Sequence, residues 1–236
     1  MEFSKLTSPS LKDLFVREIE NRILSGNLAI GDQLPPEREL SSKMGVSRTV
    51  INSGLAELAG KGFVEVRPRS GVFVSDFKRK GSVETLMAIL RYNGGVLKRK
   101  ESRSLLEIRL AIENLAIELA APRINPENLA HLAAILADFE GAETAADSSE
   151  QIFRFHHEIC VISENTILPV IFYSFKELSI LLWRRYFERH GKDALLINTR
   201  ELYAHLASGD GEKALITFQS SLKKTIDGIV SIYDED

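Results

Sequence analysis

Short polar and basic side chains cluster at the start of one predicted helix, in the run Gly45-Val-Ser-Arg-Thr49. Arg48 can pair with a phosphate or with the edge of a guanine, and Ser47 and Thr49 carry short hydroxyl donors that suit phosphate oxygens. Asn52 follows about one turn later, where an amide can read adenine. The unpaired backbone N–H groups at a helix N-terminus also attract phosphate. These residue types at this spacing predict contacts with a nucleic acid.

Helices, a tight turn and a hairpin surround this cluster in the predicted pattern. Apolar residues recur at helical spacing before and after Gly45, which ends one helix, and Ser47 caps the next. Residues 63–77 then alternate around a turn, as a hairpin does. This order predicts a winged helix-turn-helix, with Arg67 and Arg69 on a wing beside the DNA. The alternative is a small α+β domain whose arginines face water, and the ordered set of signals favours DNA binding over it.

Residues 9–75 resemble the winged helix-turn-helix domain of the GntR family of bacterial transcription regulators. Three runs carry the resemblance, namely Leu34-Pro-Pro-Glu-Arg-Glu-Leu40, Gly45-Val-Ser-Arg-Thr49 and Gly71-Val-Phe-Val74. The resemblance implies operator contacts by Arg38 and Arg48, by Thr49, and by the wing around Gly71.

The helix after the turn departs from the family pattern at two places. The family usually carries an Arg-Glu pair where this chain has Asn52-Ser53, and an alanine where this chain has Gly54. Loss of that arginine removes a base or phosphate contact, so the operator sequence does not carry over from the family. Glycine also costs a helix about 1 kcal/mol relative to alanine.

The rest of the chain follows a helical pattern. Apolar residues at helical spacing predict one helix around residues 105–119 and further helices over residues 126–140, 149–163, 168–190, 194–207 and 212–233. We therefore predict a mainly α protein with three parts. An α+β winged helix-turn-helix DNA-binding domain at 1–76 is joined by a charged linker at 77–81 to an all-α effector-binding and dimerisation domain at 82–236.

Residues 82–233 resemble, more loosely, the FCD-type effector domain of the FadR-like GntR subfamily, through LLEIRLAIENLAIELAA, FHHEICVISEN and LASGDGEKALITF. Many such domains bind a divalent metal through an aspartate, a histidine four residues later and two further histidines. Aligned on this chain, those positions hold Ile152, His156, Thr199 and Ser221. One imidazole does not make a metal site, so we expect no bound metal and no other cofactor.

Arg109 is the first candidate for effector binding, with His156 as a second. The resemblance implies that an arginine at this position holds a carboxylate, which a guanidinium suits through two parallel hydrogen bonds. A salt bridge from Arg109 to Glu113, one turn away, accounts for an inward-facing arginine equally well. A lone histidine on a helix is more often a bystander than a ligand.

Composition and charge narrow the class of protein. The net charge is −3, but residues 1–80 carry 13 Lys+Arg against 10 Asp+Glu, whereas the remainder carries 17 against 23. A basic front and an acidic rear predict that only the front meets a polyanion. No apolar run reaches the roughly 20 residues needed to cross a bilayer, and the single cysteine excludes an internal disulfide. We expect a cytoplasmic protein with no membrane partner.

These expectations combine into a ligand-responsive transcription regulator. Its predicted partners are double-stranded operator DNA in a short inverted repeat, a small carboxylate-type effector and a second copy of the chain, and a repressor is the usual form in the family. No catalytic triad, phosphate loop or carboxylate pair at meaningful spacing indicates an enzyme. The alternatives are an architectural or effector-independent DNA-binding protein, and a regulator with a metal-dependent effector site.

Overall fold

The computed structural model describes residues 9–94 and 98–233, and these residues form two compact units that divide between the two ranges. The first unit combines helices with a two-stranded sheet, and the second consists of helices. The predicted fold class, mainly α with an α+β unit followed by a helical bundle, is therefore confirmed. None of the described helices is long and apolar enough to cross a membrane.

The first unit has a helix-turn-helix core followed by a hairpin. In chain order its elements are α1 (Leu11–Leu24), α2 (Glu37–Met44), α3 (Arg48–Gly60), β1 (Val64–Arg67), β2 (Gly71–Val74), α4 (Phe77–Lys80) and α5 (Val83–Tyr92). The strands pair antiparallel, with Val64 opposite Val74 and Arg67 opposite Gly71. The core is formed by apolar side chains from the three helices and the sheet, including Phe15, Val16, Ile19, Ile51, Leu55, Leu58, Phe63 and Val74.

Two glycines set the geometry around α3. Gly45 has φ 66° and ends α2, a left-handed conformation that glycine adopts without steric cost. Gly54 is buried where α1 and α3 pack, and a Cβ there would lie 2.3 Å from Cδ1 of Phe15. The absence of a side chain at Gly54 therefore makes room for the Phe15 ring, which offsets its low helix propensity.

The first unit extends beyond the predicted domain boundary. Residues 77–81, predicted as a linker, begin with the short helix α4. Helix α5 then packs on α1, and Thr85 Oγ1 donates a hydrogen bond of 2.5 Å to the Lys61 carbonyl. These contacts place α5 with the winged elements rather than with the rear helices. Residues 1–8, 95–97 and 234–236 of the predicted ranges lie outside the described residues.

The second unit contains seven α-helices among its described residues. They are α6 (Arg99–Ala120), α7 (Pro126–Gly141), α8 (Ala145–Ile162), α9 (Leu168–Ser174), α10 (Lys176–His190), α11 (Asp193–Ala207) and α12 (Gly211–Ile226). The single helix predicted over 168–190 is wrong, because Phe175 donates to the Phe172 carbonyl in a tightened turn that separates α9 from α10. The last helix ends at Ile226 rather than at residue 233, because Gly228 takes φ 78° and turns the chain back.

Helix α6 packs against the bundle through a face that carries two charged residues as well as apolar ones. Leu105, Leu106, Ala116 and Ile117 are buried on one face together with Arg109 and Glu113. Ile108 and Leu115, on another side of the same helix, are 43% and 42% exposed. Helix α6 therefore carries two apolar stripes, and the buried one contains the two charged residues.

Candidate nucleic-acid interface and ligand cavity

The start of α3 is an open helix N-terminus. The Val50 N–H donates to Ser47 Oγ at 3.3 Å, which confirms Ser47 as the N-cap. Arg48, Thr49 and Asn52 are exposed, and the Arg48 side chain is 68% exposed. Its nearest carboxylate is Glu37 Oε2, 3.8 Å from Nη2, which is a weak surface contact. The Arg48 guanidinium is therefore available to an external acceptor.

Arg38 lies on α2 and is exposed. Among residues 9–94 it forms no ion pair, although Glu37 and Glu39 flank it. A cation on the helix before the turn can contact a phosphate while the following helix enters the groove.

The wing is held in shape by contacts within the first unit. The Arg67 guanidinium lies over the Phe73 ring at 4.4 Å, and its Nε lies 3.3 Å from Glu65 Oε1. Arg69 has φ 63° at the tip of the hairpin and is exposed. Of the two predicted wing arginines, Arg67 is thus partly engaged by its neighbours, whereas Arg69 projects from a left-handed backbone position.

Gly71 and Gln33 fix the hairpin turn to the rest of the unit. Gly71 has φ 116°, and a Cβ there would lie 2.6 Å from Nε2 of Gln33. That Nε2 donates to the Ser70 carbonyl at 2.8 Å. Sequence reasoning missed Gln33, because no local pattern relates it to a turn 37 residues later. All eight predicted DNA contacts, namely Arg38, Ser47, Arg48, Thr49, Asn52, Arg67, Arg69 and Gly71, lie exposed in the first unit.

The second unit contains a partly open cavity of about 50 Å³. Five helices line it, and both predicted effector residues, Arg109 on α6 and His156 on α8, are among the lining residues. Thr199 and Ser221 also line it, so three of the four positions aligned with the family's metal ligands converge on one space. Ile152, the fourth, is fully buried on α8.

A buried charge cluster, of which Arg109 and His156 line the cavity, lies at one of its walls. Arg109 Nε donates to Glu113 Oε1 at 2.8 Å, and His156 Nδ1 lies 2.6 Å from Glu113 Oε2. The second contact brings the imidazole and the carboxylate close enough for a strong electrostatic interaction. All three side chains are less than a tenth exposed. The predicted salt bridge from Arg109 to Glu113 is therefore present, and the same carboxylate also contacts His156.

The charges of this cluster keep Glu113 ionised. Burial by itself raises the pKa of the Glu113 carboxyl, but the charge of Arg109, followed by that of His156, outweighs burial. The net effect holds this pKa below its ordinary value of 4.5. Glu113 therefore acts as an internal counter-ion for Arg109.

Aromatic rings complete the surroundings of the cluster. The Arg109 guanidinium lies 4.0 Å from the centroid of the Trp183 ring. The His156 imidazole stacks on Trp183 at 5.6 Å and lies 5.8 Å from the Phe218 ring. Trp183 and Tyr186 on α10 both line the cavity, whereas Arg184 is exposed and pairs with Glu188. The run Trp183–Tyr186 is thus shared between the cavity and the surface.

The cavity residues do not fit a divalent metal. Thr199 Oγ1 donates to the Leu195 carbonyl at 2.7 Å, and Ser221 Oγ accepts from Asn198 Nδ2 at 2.9 Å. Two neutral hydroxyls and a single imidazole do not provide the set of several imidazole and carboxylate ligands that such an ion requires. Within residues 9–94 and 98–233, no group of three or more His, Cys, Asp or Glu side chains could hold a metal ion. We assign no step to a metal, and the absence of a bound ion stays a prediction.

A winged helix-turn-helix unit joined to a helical unit with a charged cavity defines a DNA-binding transcription regulator rather than an enzyme. Comparisons with known proteins give the family. Residues 13–74 match the family model described as bacterial regulatory proteins, gntR family, and residues 104–222 match the model of the FCD domain. The chain belongs to the GntR family and carries an FCD domain.

Individual relatives agree with this placement. An uncharacterized HTH-type transcriptional regulator of Mycobacterium tuberculosis is 30% identical over 219 residues, 91% of this chain and 88% of that protein. The Exu regulon transcriptional regulator of Escherichia coli is 28% identical over 170 residues, 71% of this chain and 62% of that protein.

A solved structure supports the fold alone. It is that of Lar, which controls expression of the Listeria monocytogenes agr system, and it superposes with a TM-score of 0.62 at 19% identity, covering 94% of this chain and 97% of that chain.

Proposed function

We propose that this protein is a ligand-responsive repressor that binds a short inverted-repeat operator and releases it when a small carboxylate-type metabolite occupies the second unit. The observation that supports this most is the contrast between two arginines. Arg48 is exposed at a capped helix N-terminus, and Arg109 is buried beside a partly open cavity. The first suits a macromolecular polyanion, and the second suits a small anion.

In the proposed operator complex, the N-terminal part of α3 enters the major groove. Arg48 and Asn52 read base edges, while Ser47 and Thr49 contact phosphates. Arg38 on α2 contacts the backbone, and the wing tip with Arg69 and Gly71 approaches the DNA beside it. Arg67 keeps the wing in shape through Phe73 and contributes charge.

Selection of binding sites from a random DNA library tests operator binding directly. We expect enrichment of an inverted repeat whose half-sites are about one helical turn apart. Affinity for that site should fall steeply as salt rises from 50 to 200 mM, because several neutralised phosphates release counterions. Absence of enrichment, or an affinity independent of salt, would contradict the proposal.

We also propose that the chain acts as a symmetric dimer. Ile108 and Leu115 lie seven residues apart on the exposed side of α6, so they belong to one apolar stripe. Such a stripe on a helix indicates a contact surface. Sedimentation equilibrium should give a dimer for the native chain and a monomer for Leu115→Glu. A native chain that sediments as a monomer would contradict the dimer.

An effector-independent DNA-binding protein is the alternative class. It predicts that no small molecule changes operator affinity, whereas the proposed regulator releases operator DNA in a gel shift when a carboxylate metabolite is added. The cavity in the second unit, with a cation at its wall, favours the regulator. We propose that the protein works in the cytoplasm, where both DNA and metabolites are available.

A further inference from the structure

We propose that the cavity of the second unit takes a monocarboxylate with an apolar body, such as a medium-chain fatty acid, rather than a polycarboxylate or a sugar acid. This inference rests on the proposed function, because it names the chemical class of the effector. Three independent features of the cavity lead to it, namely its charge, its walls and the state of its polar groups.

The cavity offers one guanidinium, that of Arg109, and the Glu113 carboxylate already neutralises its charge. Arg109 is the one guanidinium or ammonium among the described residues that line it, and Glu113 contacts both Arg109 and His156, which also lines the cavity. Arg109 uses Nε for Glu113 and donates no other hydrogen bond among the described residues. Its terminal nitrogens therefore remain for one incoming carboxylate, which they can hold through two parallel hydrogen bonds. A second or third carboxylate would meet no further guanidinium or ammonium in the cavity.

The walls of the cavity are mostly hydrocarbon. Leucines approach it from α6, α10, α11 and α12, and aromatic rings approach it from α10 and α12. The apolar lining residues include Leu106, Leu182, Trp183, Leu202, Phe218 and Leu222. An aliphatic body gains free energy by leaving water for such a surface, whereas hydroxyl groups lose hydrogen bonds to water there.

The polar groups of the cavity are partly used within the protein. Thr199 Oγ1 donates to a backbone carbonyl of its own helix, and Ser221 pairs with Asn198 across α11 and α12. A sugar acid presents several hydroxyls, each of which needs a partner when it is buried. Because these two side chains are already paired, fewer of the cavity's hydroxyls, which also include those of Tyr186, Thr217 and Thr225, are available to a sugar acid.

The small volume of the cavity limits how a ligand can enter it. A volume of about 50 Å³ holds only a few water molecules, so an apolar body must displace part of the wall. Ile232 lies after the end of α12 and is the one lining residue outside the described helices. It is buried in a segment held by His190, whose Nε2 lies 2.7 Å from the Ser231 carbonyl oxygen. Displacement of this non-helical segment enlarges the cavity without separating two helices.

Isothermal titration calorimetry on the full chain tests the ligand class with four probes, namely octanoate, 1-octanol, citrate and galacturonate. We expect octanoate to bind at least about tenfold more tightly than each of the other three, because it alone combines one carboxylate with an apolar body, and a charge-assisted pair is worth about tenfold or more. Ile232→Ala should bind octanoate more tightly than the native chain, because less of the wall must move.

Matched variants connect the binding to Arg109. Arg109→Met combined with Glu113→Gln removes the buried Arg109–Glu113 ion pair as a whole, and should lose the preference for octanoate over 1-octanol. Arg103→Met changes an exposed arginine on the same helix and should keep it. Equal binding of octanoate and 1-octanol by the native chain, or tighter binding of citrate or galacturonate, would overturn the inference.

Operator binding by the ligand-free protein separates this inference from the proposed function. If the chain binds an inverted-repeat operator but shows no preference for octanoate, the ligand class is wrong and the regulator stands. If octanoate binds as expected but no operator is found, the ligand class stands and the DNA-binding role is wrong.

Discussion

The two units use arginine in opposite ways. In the first unit, Arg48 is 68% exposed and has only a contact of 3.8 Å with Glu37. In the second unit, the Arg109 side chain is 6% exposed and is bonded to Glu113 at 2.8 Å. An exposed guanidinium costs the fold little and can bind a partner, whereas a buried one must be satisfied inside the protein before any ligand arrives. Substitution of Arg48 should therefore mainly affect binding, and substitution of Arg109 alone should mainly affect stability.

The largest effect is expected where a buried charge loses its partner. Arg109→Met leaves Glu113 buried without its cation and should lower the free energy of unfolding by about 3–5 kcal/mol. Urea unfolding followed by the fluorescence of Trp183, the single tryptophan of the chain, reports on this unit. Arg103→Met on the exposed side of α6 is the control and should change the free energy by less than about 0.5 kcal/mol. A loss below about 1 kcal/mol for Arg109→Met would show that Glu113 does not depend on the pair.

A smaller loss of stability is expected in the core of the first unit. Gly54→Ala places a Cβ against the Phe15 ring and should cost about 1–3 kcal/mol by overpacking, despite the better helix propensity of alanine. Gly60→Ala in the same helix meets no atom within 4 Å and should be neutral or stabilising by up to about 1 kcal/mol. Urea unfolding followed by circular dichroism compares the two variants. Similar midpoints for both would contradict the close packing of α1 and α3.

A loss of binding without loss of stability is expected at the interface. Arg48→Ala should weaken operator binding by about 1–3 kcal/mol, the range for one bidentate base contact, and leave the urea midpoint unchanged. Gel shifts at fixed salt measure the affinity. Arg22→Ala on α1, where the arginine pairs with Glu18, is a control that should bind operator normally. Unchanged affinity for Arg48→Ala would remove α3 from the proposed recognition surface.

The smallest effect is expected from pH, and only on the acid side. Because the pKa of Glu113 is held below 4.5, its ionised form stabilises the fold above that value, and this contribution is lost as the pH falls through the lowered pKa. Stability should therefore change little through Glu113 between pH 7 and 5 and decline below about 4.5. Glu113→Gln should flatten this decline, and Glu118→Gln, exposed on the same helix, should not. Identical acid profiles for both variants would show that Glu113 titrates normally.

The sequence by itself determined most of the first unit. The Gly45 turn, the Ser47 cap and the hairpin are local features, set by backbone conformations and hydrogen bonds between residues a few positions apart. Such signals stay readable without tertiary contacts, and the same runs carried the family resemblance. Gln33 was missed because its partner, Ser70, is distant in the chain.

Only the tertiary structure decided the chemistry of the second unit. The periodicity of α6 predicted a helix, but this helix has two apolar stripes, and contacts with α8 and α12 determined that the stripe with Arg109 and Glu113 faces inward. Glu113 contacts His156 because α6 packs against α8. Ile232 lines the cavity because the chain turns back after α12. These outcomes depend on packing between helices distant in sequence, because local periodicity specifies that a helix forms and leaves open which of its faces its neighbours cover.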